Sequence, residues 1–135
     1  MALRLSTAAR NAACNGIVDL IDAGAAAGSV KVYDGSQPGS VGGAYGNLLG
    51  TCPFSSDPAF GDAATGVATA SAITSDTSAD ASGTALSFTL VDSDGTVVAD
   101  GSCGQGSGDL SFNNSVIVAG GTIAIGSFTV TVPIS

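Results

Sequence analysis

Chemistry at neutral pH needs side chains that can take up, release or donate to something there, and this chain carries few of them. It has no His, a single Lys (Lys31), two Arg (Arg4 and Arg10) and three Cys (Cys14, Cys52 and Cys103). General acid–base work usually falls to His, a tuned carboxylate or a Lys of lowered pKa. A Cys nucleophile would lack the imidazole that normally activates it, and no G-x-S-x-G elbow occurs among the many Ser. The cysteines show no C-x-x-C spacing, so with no His there is no zinc motif. All 11 acidic residues are Asp, nearly all beside Gly, Ser, Pro or Ala, where structural turn carboxylates occur. The expectation is a chain that is not an enzyme and has no cofactor and no metal.

Three short motifs invite a functional reading. Asp92-Ser-Asp94-Gly95 resembles the opening of a calcium loop but lacks its remaining oxygens and closing Glu, so a hairpin turn is expected. Gly104-Gln-Gly106-Ser-Gly108 resembles a phosphate cradle, yet no helix follows and no Lys is near, so a flexible loop is expected. Asn113-Asn-Ser115 matches a glycosylation acceptor, which matters only in a secreted chain.

The scaffold reads as mainly β. Glu is absent, which leaves few long charged side chains to support exposed helices, whereas Thr, Ser, Val, Gly and Asp suit strands and tight turns. One helix is legible at the start, capped by Ser6 or Thr7 and ended near Gly24. Its apolar stripe is Leu5, Ala9, Ala13, Ile17, Leu20 and Ile21, with Asn11, Asn15, Asp19 and Asp22 largely opposite, and the small Ala9 and Ala13 permit close approach of the chain's own sheet or of a neighbouring subunit. From Val30 the period becomes two. Asn47–Phe54 holds the buriable Leu48, Leu49 and Phe54; strands are expected around Val30–Val32, Val67–Ile73, Leu86–Leu90 (Leu86, Phe88 and Leu90 facing one way), Thr96–Ala99, Leu110–Phe112, Val116–Val118, Thr122–Ile125 and Phe128–Ile134, with Thr74–Thr84 an exposed loop. The fold class is a single-domain β-sandwich or jelly-roll-like barrel with one N-terminal α-helix. Residues 1–28 form the helix and linker, and 29–135 the β-sandwich domain.

Charge is distributed unevenly. The net charge is −8, and all three basic residues lie within the first 31 positions, while acid accumulates after Ser36. An acidic body repels phosphate backbones, which argues against nucleic acid. No apolar run reaches membrane-spanning length, and no signal-peptide pattern opens the chain. Unpaired thiols suit a reducing cytoplasm as the place of assembly. The nearly charge-free apolar stretch after Asp109 must be paired or covered, by the core or by a homo-oligomer such as a dimer or trimer.

The opening Met1-Ala-Leu-Arg-Leu-Ser-Thr-Ala-Ala-Arg-Asn-Ala-Ala-Cys-Asn, then Lys31-Val-Tyr-Asp-Gly-Ser-Gln-Pro38, Asp57-Pro-Ala-Phe-Gly61 and the Ser111–Ile134 finish resemble small tailed-phage and prophage virion proteins. The resemblance implies a structural part of a virion, most simply a capsid decoration or cement protein on the outer capsid surface. It implies the major capsid protein, or other virion proteins, as partners, with Arg4, Leu5, Arg10 and Lys31 as candidate interface residues. A tail, connector or fibre component is the alternative, with Thr74–Thr84 as its long loop. A carbohydrate-binding or adhesive β-module is a further one, disfavoured by the lack of Trp for stacking on sugars.

Overall fold

The computed structural model describes residues 3–105, 110–112 and 114–134. Helix α1 (Thr7–Ile21) precedes nine described strands: β1 (Ser29–Tyr33), β2 (Leu48–Pro53), β3 (Val67–Thr69), β4 (Gly83–Thr84), β5 (Ser87–Val91), β6 (Val97–Gln105), β7 (Leu110–Phe112), β8 (Val116–Ile117) and β9 (Thr129–Thr131). The fold is mainly β with one N-terminal helix, as the composition implies.

Five strands make the principal sheet, in the order β2-β1-β5-β6-β7. Its pairings are antiparallel except β6 with β7. Two short antiparallel ladders, β3 with β9 and β4 with β8, complete the strand pairing. The packing is sandwich-like. Val30, Val32, Phe88 and Leu90 project from one face of the sheet into a single core shared with Cys14, Val18 and Ile21 of the helix and with Ile123 and Ile125. The Phe88 ring meets Phe128 edge-on at 5.7 Å, tying the sheet to the chain entering β9.

Between β1 and β2 the chain makes a pinched loop. Asp34 closes its neck: one carboxylate oxygen accepts from the Asn47 backbone N–H at 2.7 Å and the other from the Asn47 amide at 3.2 Å. Asp92 shapes the β5–β6 hairpin in the same way, accepting from the N–H groups of Asp94 and Thr96. Asp92-Ser-Asp94-Gly95 is therefore the expected turn.

The helix begins where its sequence says it should, with the Ser6 hydroxyl accepting from the Ala9 N–H at 3.1 Å. Its orientation does not follow the expected stripe. Cys14, Val18 and Ile21 are the buried positions, while Ala9, Ala13 and Leu20 are exposed. At 100° per residue the buried direction is rotated by about 100° from the one the sequence suggested. The cause is polar. Residues 59–66 form a mostly irregular segment beside the helix, and helix side chains supply acceptors for its amides. Asp22 accepts from Ala59 N–H at 2.6 Å, Asn15 from Ala63 at 2.8 Å and Asn11 from Gly66 at 2.7 Å. Three of the four residues expected to face water thus clamp backbone instead, and only Asp19 stays exposed.

Other expectations also change. Thr74–Thr84 is not a free loop but runs along the outer edge of β2. Thr74 donates to the Pro53 carbonyl, Asp80 to that of Leu49, and the Asp76 carboxylate accepts from Thr51 N–H at 2.9 Å. The segment also buries Ala79 and ends in β4. Of 122–125, only Ile123 makes a bridge, with Asp76. Leu86 does not share the inward face of Phe88 and Leu90, and is 43% exposed. The strand expected over Thr96–Ala99 continues to Gln105, and the rest of the expected Gly104–Gly108 loop lies outside the described residues, as does Asn113.

The clamp makes a prediction in which the sign decides. Ala is a better helix former than Asn by roughly 0.5 kcal/mol, so Asn15→Ala on a solvated face should stabilise. Here it strands the Ala63 amide, and a net loss of about 1 kcal/mol is expected in urea unfolding.

Candidate functional site

The four residues expected at an interface do not converge. Arg4 is exposed, just before α1. Leu5 is half-buried, and its N–H donates to the Ile134 carbonyl at 2.8 Å, so it ties the two ends of the chain together. The Arg10 guanidinium turns inward, its Nε donating to the Val132 carbonyl at 2.9 Å beside Gly66. Lys31 belongs to β1 on the principal sheet, in register with Thr51 and Thr89. Arg10 therefore serves the fold, and only Arg4 and Leu5 share one end of the molecule.

The sequence left open whether the small residues of α1 meet the chain's own sheet or a neighbouring subunit, and the rotated helix leaves them outside. With Asn11, Asn15 and Asp22 engaged inward, the outward face of α1 consists of Ala8, Ala9, Ala12, Ala13, Gly16 and Leu20, edged by Asp19. Leu20 is 59% exposed, and Leu3, beyond the amino end, is 82% exposed. A soluble helix ordinarily turns its polar side outward. Ala9, Ala13 and Leu20 of the stripe expected from the sequence thus lie on the outside rather than against the chain's own sheet.

A second outward apolar face lies on the β4–β8 ladder. Thr84 is in register with Val116, and alternation puts Val118 on the same side. Val116 is 57% exposed and Val118 64%, with Leu86 following β4. Their neighbours Ala85, Ser115 and Ile117 are buried beneath.

Polar groups gather on the other face of the principal sheet, away from the core. Asp100 of β6 accepts from the Tyr45 hydroxyl at 2.5 Å and from the Gln37 amide at 2.7 Å. The Tyr45 ring stacks on Tyr33 with centroids 5.1 Å apart. Burial, and then the hydrogen bond to the Asp100 carboxylate, push the Tyr45 phenol above its ordinary pKa. Beneath lies β5, whose five residues are all buried. Ser87 donates to the Gly35 carbonyl at 2.6 Å, while the Thr89 hydroxyl is wholly buried without a hydrogen-bond partner.

The three thiols are free and buried. Cys14 donates to the Val130 carbonyl at 3.2 Å. Burial raises the Cys52 pKa, and raises that of Cys103 to about 12, so both remain neutral thiols rather than nucleophilic thiolates. Among the described residues, no group of three or more His, Cys, Asp or Glu side chains could hold a metal ion, and no helix is long and apolar enough to cross a membrane. Comparison with protein-family models, with curated proteins and with solved structures finds no match to this chain.

Two measurements probe these environments. Thr89→Val removes a buried, unsatisfied hydroxyl at constant shape and should stabilise the protein by about 1–2 kcal/mol in chemical denaturation. The Cys103 thiol keeps its proton in the folded state up to about 12, whereas the unfolded thiol loses it near its ordinary value. The unfolded state then binds fewer protons, so this group lowers stability as pH rises through that window. Cys103→Ala should therefore unfold at a lower urea midpoint than the parent near neutral pH, with the gap narrowing as pH is raised through the window. A gap independent of pH would show the thiol to be unperturbed.

Proposed function

We propose that this chain is a structural protein of a tailed-phage virion, a capsid decoration or cement protein that binds the shell of the major capsid protein and joins neighbouring capsomers. The observation that carries the reading is the pair of outward apolar faces on a small acidic chain, one on α1 and one on the β4–β8 ladder. A protein that links neighbours needs one surface for the shell and another for its own copies. The ladder face of Thr84, Leu86, Val116 and Val118 has no charge to desolvate, which suits it to a broad contact with the shell. The acidic body favours the outside of a shell over the nucleic acid within it.

The extended arm that a tail-tube ring would use is the 74–84 segment, which instead covers the edge of β2. A sugar-stacking platform would need a free aromatic face, yet Tyr45 is buried, stacked on Tyr33 and held by Asp100.

The test is to mix the purified protein with empty heads and with isolated tails of the phage that encodes it, and to image both by electron cryomicroscopy. Regular density at capsid symmetry positions is expected on heads, lost in a Val116→Asp/Val118→Asp variant and retained in Arg10→Gln. Density confined to tail or neck would replace decoration with the tail reading.

A further inference from the structure

We draw no further inference here: the strongest candidate, the cavity of about 160 Å³ beside β7 and β8, floored by Phe112, Ile117 and Ile123, carries nothing, because nothing in the structure shows what fills it.

Discussion

The backbone of residues 59–66 needs acceptors for its N–H groups, and much of this molecule follows from where they are found. The segment lacks a strand partner along most of its length, and an unpaired buried amide costs about as much as a lost hydrogen bond. Asn11, Asn15 and Asp22, spaced so that they share one side of a helix, provide what the missing strand would have provided. That requirement fixes the rotation of α1 about its axis. Cys14, Val18 and Ile21 enter the core as its neighbours in angle, and the alanines are left outside. Asp22 illustrates the strength of the demand, since a carboxylate at a helix carboxyl end works against the helix dipole and is nevertheless held there.

The principal sheet obeys a related constraint. β5 is its middle strand and is buried on both faces, so its outward side chains must be small and satisfied internally. Ser87 meets this with the Gly35 carbonyl; Thr89, between Lys31 and Asp100 in register, does not. The pinched β1–β2 loop helps cover this face through Tyr45 and Gln37, whose polar ends both terminate on Asp100. Tyr45, Gln37 and Asp100 are thus engaged with one another in a structural network, while the Cys52 and Cys103 thiols are held neutral by burial.

Features governed by side-chain periodicity were legible in the sequence, and those governed by backbone pairing were not. The helix, its Ser6 cap, the β1 alternation, the Asp92–Gly95 turn and the mainly β class all follow from residue type and spacing. The run 74–84 looked like a loop because its side chains are small and polar, yet its amides donate to β2 carbonyls, its carbonyls accept from Gly120 and Ile123, and the Asp76 carboxylate takes the Thr51 N–H. Leu86, Phe88 and Leu90 looked equivalent, but Leu86 precedes the strand and escapes the core. At the candidate site, Arg4 was visible as an exposed cation, while the bond from Arg10 to a carbonyl 122 residues away cannot be seen from local pattern. The rotation of α1 was hidden, because the amides that Asn11, Asn15 and Asp22 accept from lie far along the chain.

The neck of the β1–β2 loop has a use of its own. Asp34 and Asn47 fasten its two ends by a pair of hydrogen bonds, and residues 39–44 beyond them are all exposed. Lengthening a loop whose ends are already held together adds little closure entropy, about 0.6 kcal/mol for each doubling. A peptide spliced between Gly39 and Ser40 would therefore be carried as cargo, with the strands on either side of the neck left in register.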